Sequence, residues 1–183
     1  MNDFYIGWPY YGQYVEKLNQ IENDLYNYLI NFPILDKKYS VIFDIDDTLL
    51  FTDQSKVLHN KKINNNLLPK INQICKIVQL CKTLNFKIII LTARPLSSYI
   101  WSVNNLNYHK IPFDEIYHNN NWPDINFKIQ FKKELSLKEN IILSVGDQFP
   151  DIQGLQDCLC IKLPSIQDKN AYFTFDNRNY NLI

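Results

Sequence analysis

Three runs of apolar, mostly β-branched residues limit most strongly what this chain can fold into. They are YSVIFDI at 39–45, FKIIILTA at 86–93 and NIILSVG at 140–146. Apolar runs without polar alternation are typical of strands buried on both faces, as in a parallel sheet. Parallel neighbours need long crossovers, which are right-handed and place helices over the sheet. The sequence therefore predicts an α/β protein with a parallel sheet flanked by helices.

Apolar spacing predicts the other elements as well. Helices are expected over 11–31, 67–84, 96–107 and 126–138, and short strands over 113–118 and 158–163. The polar stretch 51–66 is predicted to be a loop, which leaves room for a flap but not for a full cap domain. No linker, repeat or shift in composition divides the chain, so we expect one domain over 1–183.

Within that domain we expect a core over 39–163, an N-terminal helical extension over 1–38 and a C-terminal tail over 164–183. We interpret the helix of the aromatic extension as a packing element. A partial roof over a functional site and the surface of a homo-oligomer are the alternatives.

Charge and cysteine content exclude several classes of partner. Lys plus Arg and Asp plus Glu each number 19, so the basic excess needed for general binding to duplex nucleic acid or to a membrane surface is absent. No apolar run reaches the roughly 20 residues that span a bilayer. The first residues lack the pattern of a secretory signal, and the four cysteines fit no standard zinc spacing. We expect reduced thiols and a cytoplasmic location without a membrane partner.

Carboxylates follow two of the predicted strands directly. The first strand ends in FDIDDTL, with Asp44 and Asp46, and the last long strand ends in GDQFPD, with Asp147 and Asp151. The carboxyl ends of parallel strands meet at one edge of the sheet, where these groups would repel one another. Hard divalent cations such as Mg²⁺ prefer oxygen ligands and relieve such repulsion. The sequence predicts a cation site here, and an acidic helix cap is the alternative.

Groups that bind anions are expected at the same edge. The strand FKIIILTAR brings Thr92 and Arg94 there, and an arginine can bind an anion with two hydrogen bonds. A lysine from the 126–138 helix would offset the carboxylates. Lys128 is the best candidate, Lys132 shares its face, and Lys133 points elsewhere.

The segments FDIDDTL, LTAR, a downstream lysine and GDQFPD, in this order, resemble the four motifs of the haloacid dehalogenase (HAD) superfamily. Their spacing is similar to that of its phosphatases, and GDQ followed by an acidic residue resembles the acid phosphatase class that includes plant vegetative storage proteins. The motifs span 41–151. The resemblance implies a Rossmann-like sheet and Mg²⁺-dependent hydrolysis of phosphomonoesters through an aspartyl-phosphate, and the short 51–66 stretch predicts a minimal cap. Many relatives in that class are secreted, whereas this chain shows no signal.

The resemblance also implies roles for single residues. Asp44 would be the nucleophile, and Asp46 would protonate the leaving alcohol and then activate water. Mg²⁺ would be held by the side chains of Asp44 and Asp147 and the main-chain carbonyl of Asp46, with support from Asp151. The residues expected to bind the phosphoryl group are Thr92, Arg94 and Lys128, and we count Thr92 and Lys128 among the catalytic residues.

Two other readings stay open. One is a phosphoacceptor domain similar to a response-regulator receiver, which would not explain Asp46 or the GDQFPD motif. The other is a catalytically silent storage or binding protein. The sequence does not decide between a small and a macromolecular phosphorylated substrate, nor between hydrolysis and phosphotransfer.

Overall fold

A seven-stranded sheet forms the centre of the molecule. A computed structural model describes residues 11–33, 37–52, 67–120, 124, 126–165, 170–175 and 181–183. The strands are β1 (Tyr39–Phe43), β2 (Lys87–Pro95), β3 (Glu115–Asn119), β4 (Asn140–Gly146), β5 (Leu159–Lys162), β6 (Tyr172–Thr174) and β7 (Asn181–Leu182). Their order is β3-β2-β1-β4-β5-β6-β7. The pairs from β3 to β5 are parallel, and β6 and β7 are antiparallel.

The helices flank this sheet as expected. They are α1 (Tyr11–Ile30), α2 (Asn72–Thr83), α3 (Tyr99–Tyr108), α4 (Phe127–Leu135) and α5 (Phe149–Ile152), and a 3₁₀ turn (Leu96–Ser98) precedes α3. The predicted helix over 67–84 was too long, because α2 begins only at Asn72. The preceding residues are extended: Phe51 N–H donates to Pro69 O (2.8 Å) and Ile71 N–H donates to Leu49 O (2.8 Å). Pro69 also disfavours helical backbone at the residue before it.

The strand order decides where a site can form. Within the sheet, β2 and β3 lie to one side of strand β1, and β4 and β5 lie to its other side. Phe43 pairs with Val145, and Asp44 N–H donates to Val145 O (3.0 Å). The ends of β1 and β4 are therefore direct neighbours at the point where the order reverses, which is where sheets of this kind bind their ligands.

The N-terminal helix is part of the main core. Its residues Tyr14, Leu18, Ile21, Leu25 and Leu29 are buried and belong to the same apolar cluster as β1. Their spacing of three to four residues gives α1 one continuous apolar face. The interpretation of this helix as a packing element is confirmed for 11–30; residues 1–10 lie outside the described residues.

The C-terminal residues differ from the predicted tail. Strands β6 and β7 extend the sheet beyond β5, with Cys160 paired to Thr174 and Tyr172 paired to Leu182. Strands of two or three residues carry too little alternation to be recognised from sequence. Most of the predicted 51–66 loop, from 53 to 66, lies outside the described residues. Among the described helices, none combines the length and apolar character needed to cross a membrane.

Candidate active site

A tight turn after β1 presents the first two candidate carboxylates. The carbonyl of Ile45 accepts hydrogen bonds from Leu49 N–H (3.0 Å) and Leu50 N–H (2.9 Å). Asp47 adopts the left-handed conformation with φ 50°, which Asp tolerates better than most residues. Asp44 is buried, whereas 34% of the Asp46 side chain is exposed. The turn therefore places one carboxylate inside the site and the other at its mouth.

Lys128 joins two of the buried carboxylates. Its Nζ lies 2.7 Å from Asp44 Oδ1 and 2.5 Å from Asp151 Oδ1. All three side chains are at least nine-tenths buried. Burial opposes the charge on the ammonium, but the two carboxylates outweigh that effect and raise the pKa of Lys128. The structure thus brings the predicted lysine to the predicted edge.

Three carboxylates at this edge suit a divalent cation. Asp44, Asp147 and Asp151 each offer an oxygen, and these oxygens lie within 4.8 Å of one another. Asp147 Oδ1 is buried and has no hydrogen-bond partner within the described ranges. A buried acceptor without a partner is costly, and an all-oxygen donor set is what Mg²⁺ and similar ions prefer. The residues present therefore fit such an ion.

Hydrogen bonds hold both the carboxylate and the main-chain carbonyl of Asp151. Gln148 N–H donates to its Oδ2 (2.9 Å), and its main-chain carbonyl accepts from Ser144 Oγ (2.7 Å) and from Lys132 Nζ. A Cβ on Gly146 would come within 2.1 Å of Asp151 Cβ, so only glycine fits there. The sequence predicted that Lys132 shares a helix face with Lys128. In the structure Lys132 donates to the main-chain carbonyl of Asp151. Burial lowers the pKa of Lys132 to about 8.

Asp46 belongs to a separate ion pair. Arg94 donates from Nε to Asp46 Oδ2 (2.9 Å) and from Nη2 to Asp46 Oδ1 (2.7 Å). The sequence predicted Arg94 as an anion-binding group for substrate; the structure brings it to that edge, where it binds a carboxylate of the chain itself. Thr92 is fully buried beside it, and its Oγ1 accepts from Arg94 N–H (3.2 Å).

Two further polar residues of this region were missed. Ser102 in α3 and His118 in β3 are both buried. Ser102 accepts a hydrogen bond from Arg94, and His118 contacts Ser102. The rule that sites form at strand ends could have identified His118, because it is near the carboxyl end of β3. Ser102 carries no such signal, since a serine within a helix is unremarkable.

The buried carboxylates lead to a prediction about stability. Burial raises the pKa of Asp44 to about 7 and that of Asp147 to about 8, from an ordinary value of 3.8. From pH 3.8 up to the raised pKa of each carboxyl group, the folded state binds more protons than the unfolded state. Without divalent cations, the free energy of unfolding should therefore fall as pH rises from about 4 to about 8. Each group contributes at most about 1.4 kcal/mol per pH unit.

Urea unfolding in EDTA at stepped pH measures this slope. Asp147→Asn should make it shallower and should stabilise the cation-free protein above pH 7. Asp24→Asn, which alters an exposed carboxylate, is the matched control and should leave the slope unchanged. An Asp147→Asn slope equal to that of the wild type would contradict the assignment.

Comparison with known proteins agrees with this geometry. Residues 4–182 match the family model described as HAD superfamily, subfamily IIIB (Acid phosphatase). The chain belongs to this family. The HAD resemblance of the sequence motifs is confirmed by this match, and so is the predicted α/β fold. Among curated proteins, none matches the sequence.

Solved structures similar to this family member include the class C acid phosphatase from Bacillus anthracis. The TM-score is 0.58 at 17% identity, over 78% of this chain and 66% of that one. The same enzyme with tungstate bound gives 0.57 at 15% identity, over 79% and 65%. A chain of the Pnkp1/Rnl/Hen1 RNA repair complex gives 0.52 at 17% identity, over 72% and 46%. This chain spans less than two thirds of the length of these relatives, and at such identities the likeness shows the fold.

Proposed function

We propose that this protein is a phosphomonoester hydrolase that depends on a divalent cation, Mg²⁺, and acts through an aspartyl-phosphate on Asp44. The observation that carries the proposal is the Asp44 carboxylate at the end of β1. It pairs with Lys128 and lies close to the buried Asp147 Oδ1, which has no hydrogen-bond partner among the residues that the structure describes. Membership in an acid phosphatase family supports the same conclusion.

The first step is attack of Asp44 on the phosphorus of the ester. Two negative groups must approach each other, so the step needs positive charge that is already in place. Lys128 supplies such a charge from a buried position within 2.7 Å of Asp44. A divalent cation held by Asp44, Asp147, Asp151 and the Asp46 carbonyl would neutralise phosphoryl oxygens and orient the ester when bound. Thr92, at the end of β2, would hydrogen-bond the same group.

Asp46 would handle the proton of the leaving group. Its side chain is partly exposed at the mouth of the site, where the alcohol would depart and where water would enter. It donates a proton to the leaving oxygen in the first step and accepts one from the attacking water in the second. The aspartyl-phosphate intermediate divides the displacement into two steps, each easier than a single direct hydrolysis.

The two alternatives make different predictions. A silent storage or binding protein would bind a cation and phosphate without turnover. A receiver-like domain would accept a phosphoryl group once and hydrolyse it slowly. Family membership and the separate position of Asp46 favour the hydrolase.

The experiment is hydrolysis of p-nitrophenyl phosphate between pH 5 and 8, in EDTA and after addition of Mg²⁺, Mn²⁺ or Ca²⁺. We expect no activity in EDTA and recovery with Mg²⁺. Full activity in EDTA would refute the cation requirement, and absence of turnover under all conditions would favour a silent protein. Sugar phosphates, nucleotides, phosphopeptides and 3′-phosphorylated oligonucleotides then test small against macromolecular substrates.

Lys128→Met should lower kcat/KM by about 10²–10³, the usual effect of removing one preorganised positive or hydrogen-bonding group from a reacting anion. The variant keeps the aliphatic volume and removes only the charge between Asp44 and Asp151. Steady-state kinetics at saturating Mg²⁺ measures the loss.

Two lysines of the same helix provide controls for this substitution. Lys133→Met, at an exposed position, should have nearly wild-type activity. Lys132→Met should lie between the two, because Lys132 donates to the main-chain carbonyl of Asp151 and not to its carboxylate. An inactive Lys132→Met beside a nearly normal Lys128→Met would show that the wrong lysine has been assigned to the phosphoryl group.

A further inference from the structure

A row of hydrogen bonds runs from His118 to the mouth of the site. Arg94 Nη1 donates to Ser102 Oγ (3.0 Å), and His118 Nε2 lies 3.2 Å from the same oxygen. At its other end the guanidinium donates to both carboxylate oxygens of Asp46. Ser102, His118 and Arg94 are all more than nine-tenths buried. The row is therefore an internal support that ends on the one candidate carboxylate that is partly exposed.

We propose that Ser102 and His118 are positioning residues for Asp46, acting through Arg94. They hold the guanidinium in one orientation, and the guanidinium in turn holds the Asp46 carboxylate where it can exchange a proton with the leaving group. This inference rests on the proposed function and adds two residues that the sequence motifs do not contain.

Chemistry fixes the direction of the Arg94–Ser102 hydrogen bond, whereas that of the Ser102–His118 hydrogen bond depends on which ring nitrogen carries the proton. An arginine can only donate, so Ser102 Oγ accepts from Arg94. Ser102 then has its own proton free to donate, and His118 Nε2 can accept it if the ring is neutral with its proton on Nδ1. Burial and the nearby Arg94 charge lower the pKa of His118, which favours that neutral ring. With that tautomer the hydrogen bonds run from His118 through Ser102 and Arg94 to Asp46, and the Nδ1 proton has no hydrogen-bond partner among the described residues.

The guanidinium is also held on its face. Trp101 places its ring 4.2 Å from Arg94 Cζ, at cation–π distance. Tyr99 packs against His118 with ring centroids 5.5 Å apart. Arg94 thus contacts the Trp101 ring on its face, Ser102 at one edge and Asp46 at the other. These contacts leave the guanidinium little freedom to turn toward Lys128 and the carboxylates that pair with it.

The two sets of ion pairs, one around Lys128 and one around Arg94, therefore act on different parts of the substrate. Lys128, with Asp44 and Asp151, faces the phosphoryl group, and Arg94, with Asp46, faces the leaving group. Loosening Ser102 or His118 should impair proton transfer to a poor leaving group and leave attack on phosphorus nearly intact. Good leaving groups need no proton, so their hydrolysis serves as an internal reference.

The test compares an alkyl phosphate with p-nitrophenyl phosphate in Ser102→Ala, His118→Leu and His118→Gln. For Ser102→Ala and His118→Leu we expect kcat on the alkyl ester to fall about tenfold with little change in KM, since small displacements of catalytic groups are costly. Activity on the aryl ester should stay within about twofold. His118→Gln keeps a polar group near the Nε2 position and should restore much of the alkyl activity.

Ser97→Ala, at an exposed serine of the neighbouring 3₁₀ turn, is the matched control and should behave as the wild type. Equal losses on both esters, unchanged activity on both, or no difference between His118→Gln and His118→Leu would each overturn the positioning role. If Ser102→Ala does not fold, the two His118 variants decide. A wild type inactive on both esters would instead refute the proposed function, on which this inference rests.

Discussion

Asp44→Asn is expected to lower turnover of every phosphate ester by about 10⁴-fold or more, because an amide cannot take the place of a carboxylate nucleophile. The Asp44 side chain is buried, and its Oδ1 lies 2.7 Å from Lys128 Nζ. Rapid quenching with radiolabelled substrate should trap a phosphorylated wild-type protein and no phosphorylated variant.

The folded state should survive this substitution. Asn has nearly the same shape, and removing one of three clustered carboxylates relieves repulsion in the cation-free protein. A thermal melt in EDTA is the control, with an expected melting temperature at or above that of the wild type. Substantial turnover or a labelled variant would identify another residue as the nucleophile.

Asp46→Asn should reduce kcat on alkyl phosphates by about 10²–10⁴, the usual contribution of a general acid–base group. The deficit should be much smaller on aryl phosphates, whose leaving groups need no proton. Asn keeps an oxygen that can still accept from Arg94, so the local structure should persist. A series of substituted phenyl and alkyl phosphates measures the effect as a steeper dependence of rate on leaving-group pKa.

The opposite outcome for Asp46 is equally informative. An equal deficit across the whole series would mean that Asp46 does not protonate the leaving group in the slow step. In that case hydrolysis of the phospho-enzyme, or cation binding through the Asp46 carbonyl, would be the step affected. Arg94 and its supports would then act on that step.

Much of the site could be predicted because its placement follows from the sheet. Uninterrupted apolar runs identified β1, β2 and β4, and parallel strands bring their carboxyl ends to one edge. That rule predicts that Asp44, Asp147 and Asp151 lie close together, and in the structure their oxygens are within 4.8 Å of one another. Helical periodicity places Lys128 and Lys132 on one face. Lys128 is preferred because it opens the helix and because its distance from the GDQFPD motif resembles that in similar acid phosphatases.

The partner of Arg94 could not be predicted in the same way. A motif states which residues reach the edge but not which opposite charges pair there. Arg94 pairs with Asp46 in the structure, and its other contacts, Ser102 and Trp101, come from α3, whose packing no motif states. Strands β6 and β7 were missed for another reason, because they are stabilised by pairing with β5 rather than by a pattern of their own.

The adjacency of β1 and β4 also bears on how a cation can influence folding kinetics. Asp44 and Asp147 are about 100 residues apart in the chain, so bringing them together requires closing a long loop with a large entropic cost. Both strands must already be paired before three ligands converge. A partly folded chain therefore offers no preformed site, and the ion cannot template early assembly. Its effect should appear in the unfolding rate, which falls when an interaction is absent from the transition state, and the refolding rate should change little.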